Sequence, residues 1–150
     1  MPKNIEASID IAAAPEKVWA VISDLKRMPE FSPQTLRMQP LGAVRTGTWT
    51  LNFNTDGKAY WPTTSRVVRF EPNKAIAFRV PMNRTVWSFI LEPTTDGTRL
   101  VQRRDCPNGT TTWISRKAID AAMGGEKPFE EKLEQGMRET LSKIKAVVEK

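Results

Sequence analysis

Beyond Pro107-Asn108-Gly109 the hydrophobic period of the chain changes from two residues to about 3.6, and no other feature restricts the possible folds as much. After that change, Glu126 to Glu149 reads as one long amphipathic helix. Its apolar stripe is Phe129, Leu133, Met137, Leu141, Ile144 and Val148, with Glu131, Lys132, Arg138 and Lys145 on the other face. A shorter helical piece with Ile114, Ala118 and Ala121 or Ala122 precedes it, and Gly124-Gly125 breaks or kinks the two apart. The stripe of a lone long helix must be buried, and the only partner that the rest of the chain offers is a sheet.

Residues 4–11 alternate, with Ile5, Ala7, Ile9 and Ile11 on one side and Glu6, Ser8 and Asp10 on the other, which predicts a half-buried first strand. Ala13-Ala14-Pro15-Glu16 then starts a helix, because proline is pre-set for the first helical turn and Glu16 complements the helix dipole. A second short helical segment runs from Leu25 to Phe31 and is stopped near Pro29 and Pro33. Six further strands are predicted at 35–41, 47–54, 58–70, 74–80, 84–92 and 98–105. They are separated by Gly42, Asp56-Gly57, Pro72-Asn73, Pro81 to Asn83 and Asp96-Gly97. Connections this short make the strands antiparallel neighbours. The fold class is therefore α+β: a seven-stranded antiparallel sheet against a long C-terminal helix, with two short helices between strands one and two. One domain over residues 1–150 is expected.

Composition removes several functions. The chain contains no histidine, so Ser-His-Asp and Cys-His pairs, HExxH zinc sites and two-histidine iron sites are excluded. One cysteine, Cys106, is too few for an internal disulfide. Together with a start that lacks a secretory apolar core, it predicts a cytoplasmic protein. No apolar run approaches the ~18 residues of a membrane span, so no stable membrane insertion is expected. The net charge of +6 divides into 10 basic against 7 acidic residues in 1–75 and 13 against 10 in 76–150. An excess spread so evenly, without a nucleic-acid-binding motif, predicts no nucleic-acid partner.

Particular residues add a resemblance. Ile9-Asp10-Ile11-Ala12-Ala13-Ala14-Pro15-Glu16-Lys17-Val18-Trp19 followed by Asp24, Gly47-Thr48 and Phe70-Glu71-Pro72 form its first part. Trp87-x-Phe89-x-Leu91-Glu92-Pro93, Gly97-Thr98-x-Leu100 and Gly136-Met137-x-x-Thr140-Leu141-x-x-Ile144-Lys145 form the second. In that order they resemble the polyketide cyclase/dehydrase and lipid-transport family of the START-like, or helix-grip, superfamily. The resemblance implies a sheet wrapped around the C-terminal helix with an apolar cavity between them. It also implies binding or transport of a hydrophobic or amphipathic small molecule such as a lipid, polyketide or isoprenoid, with no cofactor and no metal. Two other readings stand beside this one: a polyketide cyclase or dehydratase that uses hydrogen bonds in the cavity, and a protein-interaction module like the chaperone-activator relatives of the fold.

Candidate ligand-binding residues follow. Eight of twelve aromatic residues lie between positions 47 and 92. Phe70 and Phe78 read as core, whereas Trp49, Trp61, Trp87 and Phe89 are placed on the cavity wall. Tyr60, the only tyrosine, is a candidate hydrogen-bond donor to a ligand oxygen. In strand seven, one register turns Gln102 and Arg104 inward, where an arginine binds a carboxylate or enolate through paired hydrogen bonds. The other register turns Val101 and Arg103 inward instead. Met123 and Met137 are flexible gap-fillers beside the ligand, and Gly124-Gly125 falls where the family has its cavity entrance.

Overall fold

The computed structural model describes residues 5–55, 57–81, 84–105 and 126–149, with the backbone alone at 126–130 and 132. Seven strands form one antiparallel sheet: β1 (Ile5–Ile11), β2 (Thr35–Pro40), β3 (Trp49–Thr55), β4 (Tyr60–Glu71), β5 (Ala75–Val80), β6 (Thr85–Thr94) and β7 (Gly97–Asp105). Their order is β1-β7-β6-β5-β4-β3-β2, so β2 to β7 form a continuous meander that β1 closes beside β7. Each expected strand is present with ends within two residues of its sequence reading.

Consecutive strands β1 and β2 thus occupy opposite edges of the sheet, and the chain between them must cross its width. It does so through α1 (Pro15–Ile22), a 3-10 turn (Leu25–Arg27) and α2 (Met28–Phe31). Pro15 occupies the first turn of α1, and Val18, Val21 and Ile22 form its buried side. Leu25, Met28 and Phe31 continue that buried line and join the main core with Met38, Val67, Ile76, Phe89 and Leu100. Trp19 meets Phe70 edge to face, with ring centroids 5.3 Å apart.

The C-terminal helix α3 (Glu126–Val148) lies against β1, β7, α1 and α2. Leu133, Met137, Leu141, Ile144 and Val148 are all buried, as their spacing requires. The Phe129 side chain, the 114–122 helical piece, Cys106, Met123 and Gly124-Gly125 lie outside the described residues.

Close contacts at the β1–α1 junction fix the frame. Pairing of Thr94 with Gly97 makes Thr95-Asp96 the β6–β7 turn, so Gly97 opens β7 and is not part of the turn as the Asp-Gly signal suggested. Its importance is close approach: a Cβ there would lie 2.1 Å from the Ile11 carbonyl oxygen. Beside it the Thr98 hydroxyl donates to the Ala13 carbonyl at 2.7 Å. At the C-terminal end, the Glu149 carboxylate accepts from the Ala12 N–H at 2.8 Å and from Lys145 Nζ at 2.6 Å. Lys145 Nζ also donates to the Asp10 carbonyl at 2.7 Å. These bonds clamp the end of α3 to the β1–α1 junction. Among the described residues no helix is long and apolar enough to cross a membrane.

Candidate functional site

The helix side of the sheet is set by its register. In β7, Thr98, Leu100, Gln102 and Arg104 are buried, while Arg99 is exposed and Val101 and Arg103 are half-exposed. The register with Gln102 and Arg104 inward is therefore the one formed. Arg103 instead stands on the outer face, with ion pairs to Glu6 and Asp105 at 3.4 and 3.0 Å.

Arg104 is directly opposite Ile5 on one side and Trp87 on the other, and Trp87 in turn is opposite Phe78. The next row holds Ala7, Gln102, Phe89 and Ile76. Leu133 and Met137 of α3 pack with Ile5, and half-buried Ala7 and Trp87 close against them. Arg104, 3% exposed, and Gln102, 7% exposed, thus sit among aromatic and aliphatic side chains beneath the helix. The Gln102 carbonyl oxygen Oε1 is buried with no hydrogen-bond donor to it among the described residues. Polar groups in such a place carry a substantial desolvation penalty unless they are matched, and they match ligand groups well when a ligand is bound.

The β3–β4 part of the same face is polar, which the sequence reading missed. Thr50, Asn52 and Asn54 on β3 face the helix side together with Trp61, Thr63 and Ser65 on β4. The phase is fixed by Met38, paired with Asn52, and by Val67, two residues from Ser65; both are members of the main core. Asn54 Nδ2 donates to the Thr63 hydroxyl at 2.9 Å, and Asn52 Nδ2 donates to the Thr63 and Ser65 hydroxyls at 3.3 Å. The Thr50 hydroxyl donates to Asn52 Oδ1 at 2.8 Å and shares a short hydrogen bond with Ser65. The sequence signal was available in Thr50-x-Asn52-x-Asn54 and Trp61-x-Thr63-x-Ser65, two polar-rich period-2 series on adjacent strands.

That phase corrects two placements. Trp49 and Tyr60 are on the outer face, 42% and 63% exposed, and neither lies on the helix side. The expectation assumed that large aromatics turn inward. A period-2 strand turns all of one parity outward, and the register here sends Trp49, Leu51 and Phe53 to the outer face. Among the other candidates, Trp61 is half-buried and inward at the polar end, whereas Trp87, Phe89, Gln102, Arg104 and Met137 share the region beneath α3. Met123 falls outside the described residues. No group of three or more potential metal ligands occurs among the described residues.

Fold and site together define a helix-grip protein: an open seven-stranded antiparallel sheet packed against a C-terminal helix, with a mixed polar and aromatic surface on the helix side of the sheet. The chain belongs to the polyketide cyclase/dehydrase and lipid transport family, which matches residues 2–149. The ZhuI aromatase/cyclase from Streptomyces sp. R1128 is similar in structure, with TM-score 0.77 at 18% identity over 98% of this chain and 93% of that one. The di-domain aromatase/cyclase StfQ of the steffimycin biosynthetic pathway has TM-score 0.73 at 18% identity. This chain is covered to 97% in that match and spans 50% of StfQ. The Polyketide_cyc-like protein Cgl2372 from Corynebacterium glutamicum is 27% identical, with TM-score 0.60 over 99% of this chain and 94% of that one. No curated protein matches the sequence.

Proposed function

We propose that this protein binds an amphiphilic small molecule, apolar in its body and bearing several oxygen functions, between the sheet and α3. The observation that carries this reading is the polar inner surface of β3 and β4. A strand face turned toward a dry core is normally apolar, and five hydroxyl and amide side chains there suit a ligand with its own donors and acceptors. Trp87, Phe89 and Met137 supply apolar contact, Trp61 borders the polar end, and Gln102 and Arg104 engage an anionic or enolic oxygen. Polyketides and oxygenated lipids have this chemistry, in keeping with the family.

The test is native mass spectrometry of protein purified from its own host, followed by organic extraction of whatever it carries. An oxygen-rich apolar compound at one-to-one stoichiometry is the expected result. Protein that comes out ligand-free and gives no saturable tryptophan-fluorescence response to polyhydroxylated aromatic probes would sink the proposal.

Ring closure or dehydration is a second reading, favoured by the buried guanidinium and amide of Arg104 and Gln102, which can stabilise a developing enolate. Tyr60 takes no part in it, because it lies on the other side of the sheet. With no histidine in the chain, proton transfer would fall to a carboxylate, lysine or solvent. Turnover of a poly-β-keto substrate, lost on Arg104→Gln, separates this reading from simple carriage.

A further inference from the structure

The outer face of β3 and β4 is as unusual as the inner one. Trp49, Leu51 and Phe53 on β3 and Tyr60 on β4 are 42%, 50%, 43% and 63% exposed. Phe53 and Tyr60 stack with centroids 6.3 Å apart, which makes the stripe a preformed apolar surface.

Its border is basic. Arg37 is the register partner of Phe53, and the Arg66 guanidinium lies over the Trp49 ring at 5.6 Å. Arg66 is also directly opposite Arg79, both exposed, a like-charge pair that destabilises a sheet unless an anion relieves it. Between residues 35 and 70 the chain carries five lysines and arginines and one acidic residue, Asp56. At the Trp49 end the stripe runs into an open groove of about 380 Å³, with Leu41 and Trp49 among its apolar lining and Arg45 as its cation.

We propose that this face docks on an anionic lipid bilayer, independently of what the interior binds. Indole and phenol rings favour the boundary between headgroups and acyl chains, where Leu51 and Phe53 reach further in. Flanking arginines meet the negative surface potential, and the groove beside Arg45 accepts a phosphate headgroup. A second copy of this chain is disfavoured as occupant, since two such faces would bring arginine borders against each other.

The experiment is co-sedimentation of the full chain with phosphatidylcholine vesicles, with and without phosphatidylglycerol, at low and high salt. Binding is expected only with phosphatidylglycerol and is expected to weaken with salt. Arg37→Glu and Arg66→Glu should each weaken it about fivefold or more, and Leu51→Ser with Phe53→Ser should abolish it. Lys143→Glu, an equal charge change at an exposed α3 position, should leave it intact. Circular dichroism establishes that each variant is folded. Brominated lipids give a readout in the unaltered protein: they should quench its tryptophan emission, and Trp49→Phe should remove most of that quenching. Equal binding to both vesicle types, insensitivity to the stripe variants, or quenching that persists in Trp49→Phe would overturn the proposal. So would an absence of vesicle binding alongside a dimer, or an acidic protein partner, that depends on Leu51 and Phe53.

Discussion

Trp87 on β6 and Arg104 on β7 are directly opposite each other, and both face the C-terminal helix. Cross-strand neighbours stand about 5 Å apart at Cβ, so the two side chains leave the sheet side by side. This arrangement puts a cation in an otherwise apolar row of Ile5, Trp87 and Phe78. Arg104→Gln should therefore weaken binding of anionic aromatic probes about tenfold or more while changing neutral analogues little. Tyr60→Phe should change neither, because Tyr60 is on the outer face. Fluorescence titration of matched anionic and neutral probes checks both.

The polar wall yields its own expectation. Replacing Asn52 by Leu removes the donor to the Thr63 and Ser65 hydroxyls and makes the surface apolar. Affinity should shift from oxygenated probes toward aliphatic ones, with thermal stability changed by no more than about 1–2 kcal/mol. Isothermal titration with a fatty acid and with a polyhydroxylated aromatic of similar size measures the shift, and an unaltered preference would mean that ligands do not touch this wall.

Met137 is 2% exposed at the centre of the α3 stripe. Met137→Asp would place an unpaired carboxylate there and should destabilise the protein by about 3 kcal/mol or more, whereas Met137→Leu should cost less than about 1.5 kcal/mol. Denaturant midpoints of the two variants decide it.

Gly97 has no room for a side chain, since the obstacle is the backbone of Ile11 and Ala13. Gly97→Ala must push the β6–β7 turn away from the β1–α1 junction, at about 1–3 kcal/mol, and a lowered melting temperature is expected. Gly57, whose added Cβ would meet nothing within 4 Å, provides the comparison for backbone strain alone, since its φ is +98°.

Glu149 gives a dependence on pH. The hydrogen bond from the Ala12 N–H, and then that from Lys145, hold its carboxyl below the ordinary glutamate range. A depressed carboxyl stabilises the fold above its unfolded pKa of about 4.3, and the contribution is lost as pH falls through the folded value. Wild type should therefore melt higher than Glu149→Gln at neutral pH, and the gap should close in acid. A gap independent of pH would assign the effect to packing.

The sequence alone determined the order and limits of the seven strands, the two short linking helices and the buried stripe of α3. Those features are local: alternation, turn residues and a 3.6-residue period act within a few positions of one another. It also narrowed the chemistry, since a chain without histidine lacks whole classes of site whatever its fold. Only the tertiary structure decided which side of each strand faces the helix. In β7 the local pattern allowed either Arg103 or Arg104 inside, and pairing with Ile5 and Trp87 selected Arg104. In β3 the alternation of Trp49, Leu51 and Phe53 with Thr50, Asn52 and Asn54 was legible, but its direction was not. A period of two is symmetric between faces, so hydrophobicity alone predicts apolar residues inward. The phase of β3 is instead set by its neighbours, through Met38 on β2 and Val67 on β4, whose burial against the core places the polar series inside and leaves Trp49 and Tyr60 outside.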